Sequence, residues 1–97
     1  MKLTEKRKRF LRARAHDLKP VVIVGAAGLT EPVLKEIDLS LAHHELLKVR
    51  VNAADRDERG GLITRMCREL DAALVQSIGH VAVLYRPAEQ PKLHPPT

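Results

Sequence analysis

Residues 20–30 read PVVIVGAAGLT, and this stretch constrains the fold more than any other part of the chain. Its consecutive valine and isoleucine residues are typical of a short buried strand and predict one over Val21–Val24. The run ends at Gly25 and Gly28, after which Thr30 is a good N-cap for a helix. A strand that passes to a helix through a glycine loop can present backbone N–H groups to a phosphate.

Hydrophobic periodicity divides the remaining chain into further helices and strands. Apolar residues recur every four positions between residues 33 and 41, as on the core-facing side of a helix. Apolar and basic residues alternate between residues 47 and 51, which is the period of a half-buried strand with one wet, basic face. The pair Gly79-His80 separates two apolar runs and predicts an antiparallel hairpin. The predicted elements are helices at about 4–16, 30–44 and 55–70 and strands at 21–24, 46–51, 73–78 and 81–86.

This order, α-β-α-β-α-β-β, predicts an α/β fold: a two-layer sandwich in which the helices cover one face of a four-stranded mixed sheet. The unbroken apolar run over 21–24 predicts a strand that is well covered inside that sheet. Prolines at four of the last eleven positions argue against any packed element there. We therefore expect residues 1–86 to form one domain and residues 87–97 to form a proline-rich flexible tail.

Positive charge is concentrated at the N-terminus. The formal net charge is +5, but residues 1–20 hold eight basic side chains against Glu5 and Asp17, while the rest of the chain holds nine basic and ten acidic side chains. Such an asymmetry indicates a polyanionic partner, the alternative being a solvated surface helix. The eight basic residues are Lys2, Lys6, Arg7, Lys8, Arg9, Arg12, Arg14 and Lys19.

Aromatic content restricts how the chain could bind a nucleic acid. Phe10 and Tyr85 are its only Phe, Tyr or Trp residues, and a stacking platform needs several surface aromatics. The binding modes that remain are backbone clamping by the glycine loop and neutralisation of phosphates by basic side chains. These modes favour structured RNA over a specific DNA site. Besides the N-terminal cations, the candidate RNA-binding residues are Gly25, Ala26, Ala27, Gly28, Lys48, Arg50 and Arg86.

Other classes of function receive little support. Cys67 is the only cysteine, and the adjacent His43 and His44 would point about 100° apart on a helix, so we expect no disulfide, metal site or cofactor. No nucleophile has a base at a recognisable spacing, so we expect no enzyme and no small-molecule substrate. The chain has no apolar run near the roughly 20 residues that span a bilayer and no signal-peptide pattern, so we expect a cytoplasmic protein without membrane contact. The chain lacks the heptad repeat that would indicate a coiled-coil multimer, so we expect a monomer.

Four stretches together resemble the CRM (chloroplast RNA splicing and ribosome maturation) domain in its bacterial stand-alone YhbY form. They are LRARAHDLKPVVIVG at 11–25, GLT at 28–30, HHELLKV at 43–49 and GHVAVLYRP at 79–87. The resemblance implies a fold similar to the C-terminal domain of translation initiation factor 3, RNA binding through the glycine loop and adjacent basic surface, and association with precursors of the large ribosomal subunit. Ala26 and Ala27 replace polar or basic residues of the family loop, so contact from this loop would come from its backbone.

Two other hypotheses stay open at this point. One is a protein-interaction module that docks on a ribosomal or translation protein, with the proline-rich tail as the contact. The other is nonspecific binding to duplex DNA. Deletion of residues 88–97 tests the first hypothesis, and competition with duplex DNA tests the second.

Overall fold

The computed structural model describes residues 2–97 and contains seven regular elements in the predicted order. The strands form one mixed sheet in which the first and second strands are parallel and the other neighbours are antiparallel. The predicted α/β class and mixed sheet are confirmed. The elements are α1 (Glu5–Ala15), β1 (Pro20–Val24), α2 (Glu31–His44), β2 (Leu46–Val51), α3 (Arg56–Leu70), β3 (Ala73–Ile78) and β4 (Val81–Tyr85), with the strands ordered β1-β2-β4-β3 in the sheet.

Each helix begins at a polar residue that caps it. The side chains of Thr4, Thr30 and Asp55 accept hydrogen bonds from the backbone N–H three residues later, at 3.2, 3.3 and 2.8 Å. Glu58 supports the start of α3 by accepting a bond from the N–H of Ala54 at 3.3 Å. Because these bonds satisfy N–H groups that have no partner within the helix, they define where each helix starts.

The main core lies between the sheet and the pair α2 and α3. Ile37 and Leu41 of α2 are fully buried against Val49 of β2 and Met66 of α3. The four-residue spacing along α2 and the alternation along β2 therefore predict the buried side chains correctly. The sheet, α2 and α3 together form the two-layer sandwich.

α1 lies outside this sandwich, on the opposite face of the sheet. Its buried residues Leu11 and Ala15 cluster with Leu46 and Val83, whereas Leu47, the neighbour of Leu46, belongs to the main core. Successive strand residues point to opposite faces of a sheet, so the two clusters lie on opposite faces. The prediction that all helices share one face of the sheet is therefore wrong for α1. The narrow apolar stripe of α1 covers only part of the sheet face on which it packs.

β1 is an edge strand, and the prediction that the sheet covers it well is wrong. Val22 and Val24 are buried in the main core, but Val21 and Ile23 are 55% and 59% exposed. An unbroken apolar run does not by itself distinguish a strand covered on both faces from one that leaves a face open.

The chain after β4 has no helix or strand, but part of it packs on the domain. Glu45, between α2 and β2, is 2% exposed. Its carboxylate accepts hydrogen bonds from the N–H groups of Ala88, Lys92 and Leu93 at 2.8, 2.8 and 3.0 Å. Leu93 in turn packs against the cluster beneath α1. The prolines exclude a helix or strand here, but they allow the chain to turn around the buried carboxylate of Glu45. The flexibility of the tail stays a prediction.

The protonation state of Glu45 links this packing to pH. Burial by itself favours the neutral carboxyl group, but the three N–H donors and the nearby His94 outweigh it and hold the pKa of Glu45 below its ordinary value. A carboxyl group whose pKa is lowered by folding stabilises the protein above its unfolded-state pKa, and this stabilisation is lost as the pH falls through the folded-state pKa.

Glu45→Gln is expected to lower the free energy of unfolding by about 1–3 kcal/mol near neutral pH, because a neutral amide replaces the charged acceptor of three N–H groups. Urea unfolding measures this change, and amide exchange at Ala88 and Leu93 should become faster. Glu89→Gln is the matched control, since the exposed Glu89 makes none of these bonds. The difference between Glu45→Gln and the unmodified protein should shrink in acid. A difference that does not change with pH would contradict this account.

Candidate nucleic-acid interface

Residues 25–28 form a tight turn at the end of β1, which we call the glycine turn. The N–H of Gly28 donates to the carbonyl of Gly25 at 3.0 Å, and Gly28 has a φ of +75°. Ala26 and Ala27 are exposed at the tip of the turn. The turn therefore presents backbone and two methyl groups to the surroundings, with no charged or polar side chain.

The fold requires only one of the two glycines. Gly28 lies in the left-handed region, where a side chain costs about 1–2 kcal/mol. Gly25 has no positive φ, and apart from its two chain neighbours no described residue has an atom within 4 Å of a Cβ built there. The missing side chain at Gly25 therefore leaves open space on the outside of the protein, where another backbone can approach closely.

One row of residues crosses the sheet beside the glycine turn. Ile23, Arg50, Val81 and Ile78 are successive partners on the four strands, and we call them the open row. α1 leaves this row uncovered, so Ile23 and Ile78 are 59% and 63% exposed. The open row is an aliphatic surface with one cation, because Arg50 is itself exposed.

α1 borders the open row with a basic face. Lys8, Arg12 and His16 are spaced four residues apart and therefore share one side of the helix. A cleft of about 280 Å³ lies between one side of α1 and the sheet, and its lining includes Arg12, Lys48 and Ile78. The Lys48 ammonium group donates to the carbonyl of His16 at 3.3 Å, which ties β2 to the end of α1. Arg12, Lys48 and Arg50 therefore lie on the face of the sheet that α1 covers in part, and Lys8 lies one helical turn before Arg12.

The cations of this surface have no acidic partners. Within residues 2–97 the ion pairs are Arg65–Glu69 and Arg86–Asp38, and neither involves α1, Lys48 or Arg50. Charged groups that the protein does not neutralise create a positive potential that attracts a polyanion.

The tail engages two of the predicted site residues. Lys6 and Arg7 donate to the carbonyls of Thr97 and Pro96 at 3.5 and 3.2 Å. The other predicted cations of the N-terminal segment are exposed around α1 and its connection to β1, and these are Lys2, Arg9, Arg14 and Lys19.

Arg86 is the predicted site residue that the structure keeps apart from the glycine turn. It follows Tyr85, which pairs with Leu46 at the far end of the sheet. Its guanidinium donates to the Asp38 carboxylate at 2.8 Å and to the carbonyl of Leu70 at 2.9 Å. These bonds join β4 to α2 and to the end of α3, so its geometry supports a structural role.

Sequence reasoning missed two basic residues at the end of the sheet beyond the open row. Nη1 of Arg59 lies 3.3 Å from Nδ1 of His80, in the turn that leads into β4. Arg56 and Arg59 line a cleft beside this turn. In the sequence they are hidden among acidic residues at 55–58, two of which the structure uses as helix caps. Capping signals at the start of α3 could have indicated that these acids are already engaged.

The described residues contain no cluster of metal ligands. No three His, Cys, Asp or Glu residues in the range 2–97 lie close enough to hold a metal ion. Burial raises the pKa of the Cys67 thiol, which favours its protonated, weakly nucleophilic form. Within the same range, every helix is too short or too polar to cross a bilayer.

The fold and this surface define a small α/β domain with one basic, partly uncovered sheet face and a glycine turn at the end of its edge strand. Residues 3–86 match the CRS1 / YhbY (CRM) domain, and the chain belongs to that family, as the resemblance implied. It is 52% identical over 94 residues to an RNA-binding protein of Haemophilus influenzae, covering 97% of this chain and 95% of that protein. It is 44% identical over 91 residues to a probable RNA-binding protein of Pseudomonas aeruginosa, covering 94% and 88%.

A solved structure shows the same fold. The solution structure of a hypothetical protein from Staphylococcus aureus, described as an RNA-binding candidate, superposes with a TM-score of 0.84 at 35% sequence identity. The match covers 98% of this chain and all of that one.

The glycine turn leads to a stability prediction. Gly28→Ala is expected to lower the free energy of unfolding by about 1–2 kcal/mol, because alanine is strained at positive φ. Gly25→Ala meets open space and should change it by less than about 0.5 kcal/mol. Thermal or urea unfolding of the two variants measures both changes. Equal destabilisation would show that Gly25 is also required by the fold.

Proposed function

We propose that this protein binds RNA through α1, the open row and the glycine turn acting as one surface. The observation that carries the proposal is the group of cations without acidic partners, Lys8 and Arg12 on α1 and Lys48 and Arg50 on β2, next to the strand that ends in the glycine turn. The names of the relatives from Haemophilus influenzae and Pseudomonas aeruginosa support RNA as the partner.

The chemistry of this surface suits phosphates more than bases. Lysine and arginine side chains neutralise phosphates and release counterions, which supplies affinity with little dependence on sequence. The N–H of Gly28 is used within the turn, but those of Ala26 and Ala27 can donate to one further phosphate, because no side chain at Gly25 prevents its approach. The exposed Ile23 and Ile78 can lie against ribose or a base face, but they offer no hydrogen bonds that would read a sequence.

We further propose that the RNA is structured ribosomal RNA in precursors of the large subunit, and that the protein acts in the cytoplasm as a monomer without enzymatic activity. The resemblance to the CRM domain in its YhbY form supports this partner. In this proposal residues 1–86 form the RNA-binding domain, and residues 87–97 form a tail that packs against it.

Reversing the charge of one side chain beside the open row tests whether this surface binds RNA. Arg12→Glu is expected to weaken RNA binding by about tenfold or more and to lower the slope of log affinity against log salt by about one. Lys35→Glu makes the same charge change on α2, in the layer on the opposite face of the sheet, and is expected to stay within about twofold. Filter binding or fluorescence anisotropy at several salt concentrations measures both effects. Equal losses in the two variants would indicate that only net charge matters.

The same assay separates the glycine turn from the cations. Gly25→Ala should weaken RNA binding while leaving unfolding nearly unchanged, since its methyl group would occupy the space for the RNA backbone. The salt slope of this variant should stay close to that of the unmodified protein, because no charge is removed. Unchanged affinity would exclude close backbone contact at this position.

The proposed cellular partner is tested by sedimentation of tagged protein from a lysate. At low magnesium and low salt the protein is expected to migrate with free large subunits or their precursors, and to leave them as the salt concentration rises. The Arg12→Glu variant should leave at lower salt than the Lys35→Glu control. Protein that stays at the top of the gradient at low salt would contradict the ribosomal assignment while leaving RNA binding in vitro intact.

A further inference from the structure

A second concave surface lies at the opposite end of β1 from the glycine turn. We call it the tail groove, because the tail forms one of its walls. It has a volume of about 570 Å³ and lies between the end of α1, the start of β1, the end of α2 and residues 92–93. Its apolar lining includes Leu18, Val21 and Leu93, and Leu18 and Val21 are 39% and 55% exposed.

The tail groove is basic around these apolar residues. Its one acidic lining residue is Glu45, whose carboxylate is buried and already accepts three backbone hydrogen bonds from the tail. The positive charges of the lining are therefore not neutralised by an acidic side chain of the groove. The arginine, lysine and histidine residues of the lining are Arg14, Lys19, His43, His44 and Lys92.

We infer that the tail groove holds a second segment of the same RNA, an inference that rests on the proposed function. The apolar residues Leu18 and Val21 would contact a base or ribose, and the cations Arg14, Lys19 and Lys92 would contact the flanking phosphates. The volume lies within the roughly 300–1,000 Å³ of sites that take small-molecule groups. The charge of the rim is complementary to phosphate.

The position of the groove explains how one RNA could reach both surfaces. Arg14 lines the groove, and Arg12, two residues earlier on α1, lines the cleft beside the open row. β1 has five residues and therefore separates the glycine turn from the groove by roughly 15 Å. A few nucleotides of extended RNA, or the backbone of a folded segment, cover that distance.

Glu45 acts on this groove as a positioning residue. Its carboxylate holds the N–H groups of Lys92 and Leu93 at 2.8 and 3.0 Å, which places these two residues in the wall of the groove. The tail is then part of the binding surface, in addition to its contacts with Lys6 and Arg7.

Site-directed photo-crosslinking in the full chain tests this inference. p-Benzoylphenylalanine replaces Val21 in one variant and Leu39 in the other, since these residues are 55% and 54% exposed but only Val21 lines the groove. The probe is fragmented large-subunit ribosomal RNA, and binding of each variant is measured before irradiation. We expect RNA crosslinks at position 21 and only background at position 39.

A pair of charge substitutions provides an independent measurement. Val21→Glu places a carboxylate in the groove and is expected to weaken RNA binding by about tenfold, whereas Leu39→Glu should stay within about twofold. Circular dichroism and thermal unfolding check that both variants are folded. A similar loss in both variants would remove the support for the groove.

The possible outcomes separate the inference from the function on which it rests. RNA that binds normally but crosslinks at neither position, with equal affinity for Val21→Glu and Leu39→Glu, would overturn the groove assignment and leave the proposed function standing. Absence of RNA binding by the unmodified protein would overturn both. Crosslinks at position 21 to an acidic protein in a lysate, with none to bound RNA, would assign the groove to a peptide and overturn the inference.

Discussion

The packing of the tail on the domain depends on the hydrogen bonds that the buried carboxylate of Glu45 accepts from the tail backbone. The backbone of this residue accepts a bond from Arg86 and donates one to Leu41, so it joins β4 to the end of α2 where β2 begins. Its φ of 63° and ψ of −40° lie in a region that costs a residue other than glycine about 1–3 kcal/mol. The surrounding hydrogen bonds offset this cost, and the side chain uses the resulting position to order the tail.

The placement of α1 on the face opposite α2 and α3 is the second determining feature. Because Leu11 and Ala15 give this helix only a narrow apolar stripe, it covers part of the sheet and leaves the open row beside it. Basic side chains on the flank of α1 therefore stand next to exposed backbone and aliphatic side chains.

Local signals in the sequence predicted the helices and strands well. Long-range contacts determine the features that these signals did not predict. Thr4 and Thr30 marked helix starts, and alternation along residues 47–51 marked the buried face of β2, because both signals act between near neighbours. Nothing local reports which face of a sheet a helix will take. Glu45 follows two histidines and resembles a surface residue, since the N–H groups that bury it lie more than forty residues further along the chain. Part of the basic surface was predicted, but the isolation of Arg86 depends on its contact with Asp38.

The exposed edge of β1 has a consequence for how the protein behaves among copies of itself. An uncovered strand edge with aliphatic side chains is a template for strand pairing between molecules, and natural proteins guard such edges with charged residues. Lys19 lies two residues before the exposed Val21 in the chain, and Arg50 pairs with the exposed Ile23 in the sheet. Like charges on two copies repel when the edges approach. The cations that attract a polyanion thereby also act as gatekeepers against aggregation.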